Sequence, residues 1–228
     1  MVADLKTPIP NGQGTFASFE EVSISGSSVA FVGRGAGQQG VYSDLGGTLH
    51  AEADLKTILP GGGPDDRGTA SSLRGPALDG ENLAFVAFGQ LARSAIYDKQ
   101  QGSLQVVVDN HTQIPGRPWN FDTFEPFISY EGGNLVFWSR AAPPNPYEGI
   151  FARYAGRIVK VIDNDDTLDG RDIMFLTFGP RALSGHRIAF KAVFSDFSQG
   201  LYVAVAPLSF SDGFESGDLS AWTAHTPI

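Results

Sequence analysis

Asp4-Leu5-Lys6-Thr7-Pro8-Ile9-Pro10 and Asp54-Leu55-Lys56-Thr57-Ile58-Leu59-Pro60 are two copies of one heptapeptide. Looser copies follow as Asp109, Thr112, Pro115 and Gly116, and as Asp163 and Thr167, so the spacings are 50, 55 and 54 residues. Behind each Asp comes a strand built around a Phe: Val29-Ala30-Phe31-Val32, Leu83-Ala84-Phe85-Val86, Leu135-Val136-Phe137-Trp138 and Ile188-Ala189-Phe190. A second aromatic strand follows, carrying Tyr42, Tyr97, Phe151 or Tyr202. Alternating apolar residues between turn formers is the strand signature. Each unit therefore reads as four short strands, in the first near 21–25, 28–32, 40–43 and 48–53. Gly26, Gly80, Gly133 and Gly185 precede the Phe strands, where a tight hairpin calls for positive φ.

A strand-rich period of about 50 residues points to an all-β radial array, a β-propeller of four blades with four antiparallel strands each. Repeat units starting near 4, 54, 109 and 163 place the propeller in residues 1–208 and leave 209–228 as a C-terminal tail. The fourth unit lacks its last strand after Tyr202. Val2-Ala3-Asp4 supplies a short version of it, so the N-terminal segment is expected to close the ring and cover two sheet edges. A ring shared by two chains is the other way to close it.

Of 228 residues, 28 are Gly and 14 Pro, as many tight turns require, while only 18% are charged. The formal charge of −9 excludes nucleic acid as a partner and disfavours anionic membrane surfaces. No apolar run reaches the ~20 residues of a membrane helix, which excludes membrane insertion by one. The absence of Cys removes disulfide and thiolate chemistry. The repeat begins directly after Met1, so the expectation is either a cytoplasmic chain or one whose leader has been removed.

Residues 210–222 read Phe-Ser-Asp-Gly-Phe-Glu-Ser-Gly-Asp-Leu-Ser-Ala-Trp. The stretch resembles the C-terminal tail of many exported proteins of Gram-negative bacteria, matched at Asp212, Phe214, Glu215, Gly217 and Trp222. The Asp-x-x-Thr-x-Ile-Pro and Val-Ala-Phe-Val-Gly segments resemble repeats of bacterial secreted and surface β-propeller proteins of mostly unassigned function. This resemblance implies an extracellular or cell-surface location, with a leader removed, and says nothing of chemistry.

Candidate chemistry is sparse. Asp4, Asp54, Asp109 and Asp163 recur once per unit. Turned inward, they form a ring of like charges that a hard cation such as Ca²⁺ would neutralise. Turned locally, each accepts backbone N–H groups while the following Thr braces the turn. Asp163-Asn164-Asp165-Asp166-Thr167-Leu168-Asp169-Gly170 is the densest acidic stretch. It adds Asp165 and Asp169 as candidate Ca²⁺ ligands, though without the closing bidentate Glu of a helix-flanked loop. Pro64-Asp65-Asp66-Arg67 reads as an exposed loop. None of His50, His111, His186 and His225 lies in a hydrolase or metalloprotease motif.

The repeated aromatics read as core. The non-repeated ones gather in the third unit, where Arg117-Pro118-Trp119-Asn120-Phe121-Asp122 has no counterpart elsewhere in the sequence. Trp119 could stack on a sugar ring there, with Arg117, Asn120 and Asp122 bonding its hydroxyls; packed inward, it would instead plug the fold. The expectation is a secreted or surface binding module, non-enzymatic, for a glycan or protein partner, acting as a monomer or through self-assembly. The alternatives are an extracellular carbohydrate-active enzyme with paired carboxylates and a structural subunit of an envelope or filament.

Overall fold

A computed structural model describes residues 1–61, 68–89, 94–100, 102–141, 147–205 and 223–225. Pro64–Arg67 and the tail positions Asp212, Phe214, Glu215, Gly217 and Trp222 lie outside the described residues. The chain is all-β, as its turn-rich composition requires. It divides into two compact units, Met1–Asp109 and Asn110–Ile228. Among the described residues no helix is long and apolar enough to cross a membrane.

In the first unit, β1 (Ser18–Ser25), β2 (Ser28–Gly35), β3 (Gln38–Ser43) and β4 (His50–Asp54) form one antiparallel meander. The second sheet runs β5 (Ile58–Leu59), β6 (Gly68–Asp79), β7 (Asn82–Gly89), β8 (Ser94–Gln100) and β9 (Ser103–Asp109). The second unit repeats the plan. Its first sheet is β10 (Phe121–Glu131), β11 (Asn134–Ala141), β12 (Glu148–Tyr154) and β13 (Arg157–Asp163). Its other sheet is ordered β14 (Thr167–Leu168), β15 (Arg171–Thr177), β17 (Arg187–Phe194), β18 (Gln199–Val205), β19 (Thr223–His225), with β16 (Leu183–Ser184) also paired to β17. These are called the first to fourth sheets below.

Each sheet is organised on one aromatic pair. Phe31↔Tyr42, Phe85↔Tyr97, Phe137↔Phe151 and Phe190↔Tyr202 are direct cross-strand partners. Their rings stack with centroids 5.7–5.8 Å apart. A third ring meets the pair edge-on in three sheets, from Phe16, Phe121 and Phe194. Full burial of such a ring contributes about 1.5–3 kcal/mol, so this motif is the largest apolar unit of each sheet. Its space is tight: a Cβ on Gly200 would lie 2.5 Å from the Tyr202 ring, and one on Gly40 2.8 Å from Tyr42.

Neighbouring sheets within a unit bury their faces against each other. Ala30, Val32, Val41 and Ala53 pack on Leu73, Leu78, Leu83 and Tyr97. Val136, Ile150 and Ala152 pack on Leu176, Leu183, Ile188 and Phe190. The polar stitching is repeated as well. Ser23 Oγ accepts from Leu78 N at 2.9 Å and Ser25 Oγ from Gly80 N at 2.9 Å. At equivalent places Ser129 Oγ accepts from Leu183 N at 2.9 Å, and Glu131 accepts from Gly185 N. Gly26, Gly80, Gly133 and Gly185 all have positive φ, as the hairpins ahead of the Phe strands demand.

Three sequence expectations are corrected. The outer strand of the fourth sheet is not the N-terminal segment. Thr223–His225 from the C-terminal tail pairs with β18, while Val2 and Ala3 pack on the Ile9, Phe16, Phe31 and Tyr42 cluster of the first sheet. A strand edge is satisfied by whichever segment reaches it, and apolar contact holds the N-terminus elsewhere. Second, Asp166 rather than Thr167 takes the Thr position of the fourth repeat, three residues after the Asp as in the other copies. Third, the 112–121 loop does have a counterpart. Gln113 bridges Asn120 as Pro8 bridges Thr15, and Ile114 and Phe121 are buried like Ile9 and Phe16.

The stitching can be tested at a buried position. Ser129→Ala leaves the Leu183 N–H buried and unmatched. It should cost about 1–3 kcal/mol in urea unfolding with an unchanged m-value.

Candidate functional site

The repeated aspartates act first on their own turns. Asp4 Oδ1 accepts from Lys6 N at 2.9 Å and Thr7 Oγ1 at 2.8 Å, while Asp4 N donates to Thr7 Oγ1. Asp54 repeats this with Lys56 N and Thr57 Oγ1, both at 2.9 Å. The Thr7 hydroxyl and the Lys6 N–H hold the Asp4 carboxyl below the usual carboxylate range. Asp109 closes β9 at the matching place and is buried. Among the described residues no three His, Asp or Glu side chains are grouped to hold a metal ion. Asp169 turns the β14–β15 hairpin with φ 53° and accepts from Tyr202 Oη at 2.8 Å and Arg171 at 3.2 Å.

Asp163 departs from its homologous positions because it is fully buried in a charged cluster. Tyr147 Oη donates to Asp163 Oδ2 at 2.7 Å, Lys160 Nζ stands 2.9 Å from the same oxygen, and Asp165 N donates to Oδ1 at 3.0 Å. Asp166 takes the other side of Lys160 at 3.0 Å and accepts from Asp163 N at 2.9 Å. Burial pushes Asp163 upward, but the Lys160 and Tyr147 hydrogen bonds outweigh it and hold the carboxyl below its ordinary value. Asp166, desolvated beside that charge, is raised. Such a network is a structural anchor when each member is satisfied.

The Trp119 loop caps this cluster. Arg117 pairs with Asp165 at 2.7 Å, lies 3.4 Å from Asp163, and places its guanidinium 4.6 Å from the Tyr147 ring centroid. Trp119 is half-buried, 5.8 Å from Tyr147 between ring centroids. Asp122 accepts from Thr123 Oγ1 at 3.2 Å and faces Arg140 at 3.7 Å. Asn120 is exposed. Three of the four residues assigned to sugar contact thus have partners inside the protein, and Asp165 serves as a partner of Arg117.

Among the described residues, two cavities lined by carboxylates were not foreseen. The first, about 270 Å³, lies in the Met1–Asp109 unit between His50, Glu52, Glu81 and Lys99. The buried Glu52 carboxylate accepts from Ser43 Oγ, meets Lys99 Nζ at 2.7 Å and stands 2.8 Å from His50 Nε2. Burial raises Glu52, but the Lys99 and Ser43 hydrogen bonds and the charges of Lys99 and His50 leave it below the usual glutamate range.

The second cavity, a cleft of about 340 Å³, lies in the Asn110–Ile228 unit. Its walls are Phe127 of β10, Trp138 of β11, Phe175 of β15 and the following Phe178, with Glu125 and Glu148 among them. Phe127 is 54% exposed and Phe175 45%. Trp138 Nε1 is buried without a hydrogen-bond partner, which is costly unless something fills the role. Burial pushes the Glu148 carboxyl up, and Arg140 offsets part of this. Trp138 was visible in sequence as a non-repeated aromatic. Phe127, Phe175 and Glu148 carried no signal, because their meeting depends on how two sheets pack.

Two measurements test these assignments. Because the Asp4 and Asp54 carboxylates are already engaged in their turns, Ca²⁺ or a chelator should leave the thermal midpoint unchanged; a rise with Ca²⁺ would show a metal site. Glu52, with its folded pKa depressed, contributes stability above about pH 4.3 that is lost as the pH falls. Lys99→Met raises the folded pKa, so in unfolding free energies measured against pH the acid-side loss should begin at a higher pH than in the parent.

No family model matches the chain, and no curated protein matches it in sequence. Among solved structures, it is similar to the crystal structure of a subtype N11 neuraminidase-like protein of a flat-faced bat isolate from Peru (H18N11), at 13% identity and a TM-score of 0.36. The match covers 89% of this chain, which spans 57% of the length of that one.

Proposed function

We propose that the four sheets are blades of a β-propeller and that the protein is an extracellular binding module whose ligand is a glycan, held in the cleft between Phe127, Trp138, Phe175 and Phe178. The observation that carries the reading is the combination in that cleft of aromatic walls and two carboxylates. A pyranose ring has a face of C–H bonds and a rim of hydroxyls. The first matches Phe127 and Phe175; the second matches Glu125 and Glu148. A concave apolar site with a few convergent polar groups is the usual form of a small-ligand pocket. The tail resemblance supports an extracellular setting, where glycans are abundant. The Trp119 loop supports it less, since Arg117 and Asp122 are already paired.

A second reading is favoured by Glu148. A carboxyl raised by burial, in one cleft with a second carboxylate, has the acid–base character that glycoside hydrolysis needs. In that case Glu148 is the general acid. Hydrolysis falls as pH rises through its raised pKa, and Glu148→Gln abolishes it.

Glycan-array binding followed by titration of the best glycan separates the readings. Phe127→Ala and Phe175→Ala, both at exposed positions, should each weaken binding by about tenfold or more with the thermal midpoint little changed. Trp119→Ala should bind like the parent. Unaltered binding in both Phe variants would overturn the cleft assignment, and turnover of an aryl glycoside lost in Glu148→Gln would replace the binding module by the hydrolase.

A further inference from the structure

The internal repeat shows what covers the first and third sheets, and among the described residues no such cover lies on the fourth. Register aligns Val41, Ile96, Ile150 and Leu201, each one residue before the stacked aromatic of its strand. Val41, Ile96 and Ile150 are 0% exposed, whereas Leu201 is 72% exposed. The same alignment relates Ala30, Ala84 and Val136, all buried, to the exposed Ala189. In the first and third sheets this face packs on the following sheet of the same unit. On the fourth sheet it borders a groove of about 930 Å³ lined by Phe178, Ala189, Leu201 and Val203 together with Arg181 and Lys191, the latter directly across from Leu201.

The complementary face is open too. Positions that receive the preceding sheet are Leu78 and Leu183, 7% and 5% exposed, and their first-sheet equivalent Ile24 is 52% exposed. Val22, placed opposite Phe31 as Ile128 is opposite Phe137, is 68% exposed against 3% for Ile128. One of the two stitching pairs is also present, the Ser23 place being taken by Ala182. Ser184 and Gly26, both exposed, hold the places of the acceptor Ser25 and the donor Gly80 at the first seam.

We infer that the open face of the fourth sheet takes the first sheet of a second copy of this chain. The contact repeats the seam between the first and second sheets, with Leu201 and Val203 against Val22 and Ile24, and with Ser184 Oγ accepting from Gly26 N. The contact joins unlike faces, head to tail. Two copies satisfy both faces of each and close the assembly, whereas a heterologous contact that failed to close would grow as a filament. Burying these side chains removes the exposed apolar surface that otherwise marks an interaction site. The inference rests on the four sheets being equivalent repeats and is independent of the glycan reading.

Light scattering and sedimentation of the intact chain over a concentration series test it. The expected mass is twice the 24.3 kDa of one chain. Leu201→Glu, at an exposed position, should give the single-chain mass with an unchanged thermal midpoint. The chain has no Cys, so Val22→Cys with Leu201→Cys is a clean reporter that should form a reducible two-chain product under mild oxidation. A single-chain mass would overturn the proposal, whether the cysteine pair links within one chain or does not link. A two-chain mass that survives Leu201→Glu would overturn it as well.

Discussion

Each sheet here has one aromatic pair on one side and an aliphatic face on the other, and neither can be left in water without cost. The rings of the pair stack on each other across neighbouring strands, and in the second and fourth sheets they also receive the aliphatic face of the preceding sheet. The aliphatic face has to be settled against another sheet, so the unit of stability is a neighbouring pair of sheets. That requirement accounts for the seam, for the Ser hydroxyls that satisfy backbone donors along it, and for the repetition of both at Ser23 and Ser129. Polar groups buried at such a seam would otherwise oppose the packing that apolar contact drives.

Departures from the repeat are concentrated at a few positions. Three sheets put a buried aliphatic residue at the position occupied by Leu201, whose exposure separates the fourth from the rest. Val32 and Val86 are buried where Trp138 stands half-buried with an unmatched indole nitrogen. Asp163 holds the place of a turn aspartate and has become the centre of a charged cluster closed over by Trp119. In each case a repeat position keeps its backbone place while its side chain meets surroundings unlike those of its counterparts.

Sequence spacing was enough to locate the strands and their hairpins, because turn chemistry and alternation are local. The strands expected at 28–32 and 40–43 lie within β2 and β3, and the Asp-x-x-Thr signature was legible as a turn as well as a charge ring. The side-chain geometry at Asp4 and Asp54 follows the turn reading. The fourth copy misled because the bracing hydroxyl of Thr is replaced there by the Asp166 carboxylate, which accepts the same N–H. The Trp119 loop seemed unique because its Ile114 and Phe121 anchors are spaced like Ile9 and Phe16 behind dissimilar residues.

By itself the sequence determined an all-β chain of four related units, the aromatic pair in each, and the turns that open them. These follow from rules acting over a few residues, and repetition made them visible. Tertiary structure alone decided that Glu125, Glu148, Phe127 and Phe175 share a cleft, that Lys99 and His50 meet Glu52, and that the outer strand of the fourth sheet comes from the C-terminal segment. Those contacts join residues far apart in the chain, and only the packing of one sheet on another, or the filling of an open strand edge, brings them within reach.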